Sequence, residues 1–241
     1  MIKPFEQMTD NEISDLIINN MELFKTYLLG LLNSAINKLK KNSYLIAHWI
    51  KQWINYLSYE EEFRNKTHHK YERGSVLNIN FGFNIGSELG GIHYAIVIDK
   101  KDSAKKSMLA VIPLTSMKDY IDLSKLSKDK IFLGSFLTDT ILNKVQNEVK
   151  SNVDLSKDFD NTKDDIKKTL RLLNNIKKAD KHIDELSKMK FGSIAHIGQI
   201  KTISKMRIVS PTTKDDLLDN IKVPPNLLDI INDKIKELYI K

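Results

Sequence analysis

The sequence predicts a mainly β core carrying large α-helical additions, α+β overall, and three observations predict it. Between residues 71 and 116, three strand-like segments follow one another, separated by glycine-rich or charged turns. Residues 9–57 and 139–186 instead place apolar side chains at helical spacing. Strand character returns at Ser193 and gives way to one closing helix, so the β segments bracket the second helical region.

Thr9, Asp10, Asn11 and Glu12 form a capping-box pattern, in which a hydroxyl and a carboxylate each satisfy a free backbone N–H. Ile13, Leu16, Ile17, Phe24, Leu28, Leu31, Ile36 and Leu39 then follow helical spacing and predict one long helix. Lys40, Lys41, Asn42 and Ser43 are expected to break it. A second helix is predicted over 44–57, with Leu45, Trp49, Trp53, Tyr56 and Leu57 near one face, and the two helices should pair as a hairpin. An aromatic stripe at this spacing reads as core rather than as a base-stacking platform. Residues 58–70 read as a linker or short helix, with His68 and His69 solvated.

Residues 75–81 alternate, Leu77, Ile79 and Phe81 against Val76, Asn78 and Asn80, which is the period of a half-buried strand. Residues 93–98 and 108–114 are nearly continuous apolar runs bounded by turn residues and predict central strands. A fourth strand is expected over 131–137. Helical spacing follows over 139–149 and, capped by Thr162, over 162–186. Residues 193–203 and 206–209 return to strand. Pro224 and Pro225 then open a last helix with Leu227, Leu228, Ile231, Ile235 and Leu238 on one stripe.

At 241 residues the chain has room for one large domain, or for one domain and a smaller companion. It has no cysteine, which excludes a disulfide framework and a thiolate metal site and fits a reducing compartment. Glu6, Asp10 and Glu12 stand where a secretory signal would be apolar, and no stretch reads as a membrane span. A cytoplasmic location with no membrane partner is therefore expected. The net charge of +7 favours polyanionic partners, although the same lysines also make an ordinary solvated surface. No metal set stands out, because His68, His69, His93 and His196 are scattered. No cofactor is expected either: the loop 82–91 lacks Gly-Lys-Ser/Thr and opens no helix, so it reads as a mobile hairpin loop rather than a nucleotide cradle.

Four pieces of sequence carry a resemblance. They are Arg73-Gly74-Ser75-Val76, Gly86-Ser87-Glu88-Leu89-Gly90-Gly91 with the following Ala95-Ile96-Val97-Ile98, Val111-Ile112-Pro113-Leu114-Thr115-Ser116, and the late run 193–207. In order and local spacing they resemble the MazF/PemK/Kid family of toxin ribonucleases. The resemblance implies a small SH3-like plug barrel over 71–137 and 190–241, with 138–189 as a helical insertion and 1–70 as an N-terminal helical hairpin and linker. It also implies a metal-independent endoribonuclease acting on single-stranded RNA, a partner antitoxin, and a possible homodimer.

Such cleavage needs a base for the 2′-hydroxyl, a donor for the crowded phosphorane and an acid for the leaving 5′-oxygen; RNA supplies its own nucleophile. In the resembled family an arginine and a threonine take part. Here His93 holds the arginine's position and Thr115 matches the threonine. His196 stands where one family branch places a second arginine, and Gly198 where that branch has an acidic residue, so a carboxylate at that place is not expected. Histidine titrates near neutrality and serves as acid or base, which arginine does poorly. His93 and His196 are thus the expected acid–base pair, with Thr115 and Ser116 donating to the phosphate. Arg73, Gln199 and Lys201 are expected to bind RNA, and Ser87 and Glu88 to gate or orient it from the loop. The same fold class also serves toxins that poison DNA gyrase by binding alone, so the resemblance leaves that reading open. A third reading makes the N-terminal helices a dimerisation device or a built-in inhibitor.

Overall fold

A computed structural model describes residues 3–155, 191–214 and 216–240, and the chain divides into two compact units, Met1–Glu62 and Phe63–Lys241. The first unit consists chiefly of α1 (Asp10–Leu32) and α2 (Asn37–Arg64), of which the last two residues belong to the second. Thr9 caps α1 as the sequence predicts: the Glu12 N–H donates to Thr9 Oγ1 at 3.3 Å and the Thr9 N–H to the Glu12 carboxylate at 2.8 Å.

The break between the helices falls at 33–36, not at 40–43. Ser34 Oγ accepts the Ile36 N–H at 3.1 Å, a local turn that competes with the next helical bond. Lys40 and Lys41 are good helix formers, and Ser43 sits inside α2 with its hydroxyl donating to the Leu28 carbonyl at 2.9 Å. α2 also continues to Arg64 through residues expected to be linker. The aromatic stripe is not core: Leu45, Trp53 and Leu57 are exposed, and α1 has no buried residue. Two helices cover only one face of each other, so an apolar arc wider than that face stays open.

Among the described residues, the second unit is an antiparallel sheet with two α-helices. Its strands are β1 (Val76–Asn80), β2 (Ile92–Val97), β3 (Met108–Ser116), β4 (Lys130–Phe132), β5 (Ser193–His196), β6 (Lys201–Ser204) and β7 (Ile208–Ser210). The order is β4-β5-β3-β2-β1-β7, with β6 also on β3. Helices α3 (Phe136–Leu155) and α4 (Pro225–Tyr239) complete it.

β1 alternates as expected, but both of its faces are buried. Leu77, Ile79 and Phe81 share one core with Ala95, Val97, Leu109 and Val111. Val76 belongs to the other, with Ile96, Ile112 and Leu114, together with Leu137 and Ile141 of α3 and Ile231 of α4. Asn80 is accommodated in this setting because its Oδ1 accepts the Gly82 N–H at 3.0 Å. β4 is shorter than expected. Gly134, at φ +67°, turns the chain after it, and α3 starts at Phe136. The helix expected over 162–186 lies outside the described residues.

The late strand expected over 193–203 is two strands with a 3₁₀ turn at Ile197–Gln199 between them. The cause lies on β3. The Ala110 carbonyl accepts from Ile98 on the β2 side, so by the two-residue period residues 112 and 114 also face β2, while 111, 113 and 115 face β5 and β6. Pro113 has no N–H to give that edge, and there the ladder lapses, between Val111↔Lys201 and Leu114↔Ala195.

One buried ion pair ties the entry of this unit to its far end. Lys205 Nζ lies 2.7 Å from Asp102 Oδ2, with side chains 3% and 0% exposed, and also donates to the carbonyls of His69 and Ser103. Tyr71 donates from its N–H to Asp102 Oδ2 and from its hydroxyl to the Pro211 carbonyl. His68 and His69 are therefore not simply solvated: both are half-buried, His68 stacked on Phe63 and His69 3.7 Å from Asp219.

Candidate active site

The lapse in the ladder makes a corner. His196 ends β5, the turn carries Gly198 and Gln199, and Lys201 begins β6. Thr115 and Ser116 end β3, paired with Ile194 and Ser193. From these positions Thr115 Oγ1 and His196 Nε2 meet at 2.8 Å. His196 is buried, and its other ring nitrogen, Nδ1, is enclosed without a hydrogen-bond partner. An enclosed bare acceptor costs less than an enclosed unpaired N–H, so the neutral ring carries its proton on Nε2 and donates it to Thr115. The Thr115 hydroxyl is then free to donate outward, from a half-buried side chain.

His93 is the second residue of β2, opposite Ile79 on β1, and is half-buried. Its ring meets the carbonyls of Gly90 and Leu114, the latter one residue before Thr115. Burial lowers the proton affinity of His93, and those carbonyls partly restore it. His196 is also pushed below the ordinary histidine value, first by burial and then by the Lys130 charge, with a further small contribution from His93; Asp129 acts in the opposite sense. The structure thus brings His93, Thr115 and His196 to one corner and keeps both imidazoles predominantly neutral near pH 7.

Gln199 and Lys201 meet the glycine-rich loop. The Leu89 N–H donates to Gln199 Oε1 at 2.7 Å, and Gln199 Nε2 donates to the Ser87 carbonyl at 3.1 Å. Lys201 Nζ reaches the Leu89 carbonyl at 3.3 Å and the Glu88 carboxylate at 3.4 Å. Within the loop, the Gly91 N–H donates to the Gly82 carbonyl at 2.6 Å, and a Cβ on Gly90 would stand 2.7 Å from that same oxygen. A side chain at 90 would push the neck of the loop open. Four residues expected at the RNA surface are thus together, and the Gln199 amide holds the loop through both its oxygen and its nitrogen. Among the described residues no three His, Asp or Glu side chains are grouped as metal ligands are.

No family model and no curated protein matches the chain. The reading of this corner therefore rests on its geometry and on the resemblance of its segments.

Arg73 is not part of the corner. It stands before β1, and its guanidinium donates to the Asn232 side chain on α4. A turn at Arg73–Gly74 and the strand residues Val76 to Asn78 lie between it and Ile79, the partner of His93.

Asp129 belongs to the corner and was missed. A Cβ on Gly198 would lie 2.6 Å from Asp129 Oδ2, and the Gly198 N–H donates to the Asp129 carbonyl at 3.1 Å. Lys130, the next residue, pairs with His196 across β4 and β5. A carboxylate is thus available at Gly198 after all, delivered from the turn that precedes β4. Asp129 is held ionised by a hydrogen bond from Ser127, with small help from Lys130 and His196. One hint of this is visible in sequence, a glycine in the middle of an otherwise side-chain-rich turn.

Proposed function

We propose that the chain is a metal-independent endoribonuclease that cleaves single-stranded RNA through its own 2′-hydroxyl, with this corner as the active site. The observation that carries the reading is the Thr115–His196 hydrogen bond beside His93. His93 takes the 2′-hydroxyl proton, and the outward hydroxyl of Thr115 donates to a non-bridging oxygen of the phosphorane. A bound phosphodiester brings a negative charge that opposes the downward shifts of both histidines. His196, with Asp129 favouring its charged form, takes a proton from solvent as the substrate binds; when the bond to the 5′-oxygen breaks, the Thr115 hydroxyl proton shifts from the non-bridging oxygen to the leaving 5′-oxygen and the His196 Nε2 proton replaces it on Thr115 Oγ1. The products are a 2′,3′-cyclic phosphate and a 5′-hydroxyl. Ser116 contributes a second donor, and Lys201 and Lys130 supply positive charge to the backbone. An unpaired strand suits this site because its phosphate can reach in-line geometry and its bases can be splayed out.

The resemblance adds a toxin role in a toxin–antitoxin or phage-defence system, an antitoxin partner and a cytoplasmic setting. It also adds the plug-barrel form for the sheet, a reading supported by β3 pairing along both edges with a core on each side. No described helix is long and apolar enough to cross a membrane.

One observation favours a second reading, a binding-only module such as a gyrase poison. His93 meets two backbone carbonyls and Gln199 holds the loop, so both have structural work independent of RNA. Cleavage of a long single-stranded RNA in EDTA separates the two. Loss of cutting in Thr115→Val and His196→Ala, with cyclic-phosphate ends from the intact protein, supports the ribonuclease; an intact protein that leaves the RNA whole removes it.

A further inference from the structure

We propose that the first unit is a self-association module, in which α1 and α2 of one chain bury their uncovered apolar face against the same face of a second copy. The two helices are joined by residues 33–36, and near that turn one stripe of apolar side chains is half-buried, Phe24, Leu28 and Leu31 on α1 and Leu39 and Ile46 on α2, while Leu29, Leu32 and Ile36 beside it are exposed. Farther from the turn the same kinds of residue are open. Leu16, Ile17, Met21, Trp53, Ile54 and Leu57 are 47% to 59% exposed.

On α1 the apolar positions surround most of the helix. Leu16, Leu23 and Tyr27 lie to one side of the half-buried stripe and Met21 and Leu32 to the other, Ile17 continues the stripe itself, and Asp15, Glu22 and Thr26 mark the polar remainder. A helix apolar nearly all round belongs in the interior of a bundle, with neighbours on more than one side. Here α2 provides one neighbour.

The area is of the right size. At the scale of roughly 150–250 Å² for a buried aromatic side chain and somewhat less for an aliphatic one, the six half-open residues uncover roughly 500 Å². Two copies together then bury on the order of 1,000 Å², the lower bound for a specific protein–protein interface.

Charge selects the occupant. The whole chain is basic, yet residues 3–62 carry more acidic than basic side chains, with Asp10 and Glu12 at the start of α1 and Glu60, Glu61 and Glu62 near the end of α2. The unit therefore lacks the positive charge that would draw it to nucleic acid or anionic lipid. The middle of the face is almost free of charge, so its occupant must be apolar as well. The same face on a second chain meets that need, and a two-fold arrangement buries both copies at once, giving a four-helix bundle.

The test uses the full chain and is independent of the ribonuclease reading. Light scattering on a sizing column is expected to give twice the chain's 27.8 kDa, and Ile17→Glu with Trp53→Glu to give that mass once, with the helical circular dichroism retained. Because the charged variant can lose its fold, cross-linking provides a second readout. The chain has no cysteine, so Met21→Cys and Ile54→Cys each introduce one thiol. Oxidation is expected to link chains in pairs through at least one of the two. A native chain that runs at single mass at every concentration overturns the proposal, whether its helices then fold back on the rest of the chain or bind neutral lipid vesicles. So does a dimer that survives the charged variant with neither thiol linking.

Discussion

Thr115 Oγ1 and His196 Nε2 lie 2.8 Å apart, joining the end of β3 to the end of β5 at the point where the ladder along β3 lapses. β3 and β5 run antiparallel, so Thr115 stands opposite Ile194 and reaches His196 diagonally, two residues farther along β5.

If this pair performs the chemistry, Thr115→Val keeps the shape of the side chain and removes the donor. RNA cleavage should fall by about 10²–10⁴-fold, the usual scale for one acid–base or donor group. His196→Ala should fall by as much, and the double variant by little more, because the two act as a unit. Single-turnover cleavage in EDTA measures all three.

Asp129 and Lys130 should move His196 in opposite directions. Asp129 raises its proton affinity and Lys130 lowers it, so the titration midpoint of the His196 ring should fall in Asp129→Asn and rise in Lys130→Met. NMR of the imidazole proton reads this without any substrate. Equal shifts of one sign would show a general disturbance of the corner instead.

Both corner histidines bind protons less readily folded than free, against an unperturbed value of about 6.5. As pH falls through that value the unfolded chain takes up protons first, so stability is complete above about pH 6.5 and is lost progressively below it, until the folded rings titrate. The urea midpoint should therefore drop between pH 7.5 and 5.5, and His196→Asn should reduce the drop.

Lys205→Met should destabilise the second unit by about 3–5 kcal/mol, because it leaves the buried Asp102 carboxylate without its cation. Asp102→Asn is expected to cost a similar amount from the other side. Denaturant unfolding of each gives the figures, and a loss near zero would mean that water reaches the pair.

Gln199→Ala should free the loop 82–91 while leaving the sheet intact. The Leu89 amide loses its acceptor, and its hydrogen exchange should quicken at least tenfold, with the amides of β1 unchanged.

Where a residue's neighbours in sequence settle its environment, the fold was legible. Leu77, Ile79 and Phe81 alternate against Val76, and the two sets enter the two cores. Thr9 and Glu12 announce the start of α1. The break at 33–36 was not legible, since Ile36 and Leu39 continue the apolar spacing and a single serine decides the turn. Nor was the full burial of β1, which depends on helices distant in sequence. The corner was half legible: His93, Thr115 and His196 stood out as polar groups in apolar runs, but Asp129 reaches Gly198 from the turn before β4, and nothing local to either residue reports the meeting.

Gly198 and Asp129 exclude each other. Any side chain at 198 would occupy the place of the carboxylate at 129, since even a Cβ falls 2.6 Å from its oxygen. The negative charge beside His196 thus has two possible addresses in this fold and room for one tenant. A chain that moves its carboxylate from position 198 to the turn before β4 can keep the charge and rewrite both positions, so a comparison made position by position would score as a double loss what is a relocation.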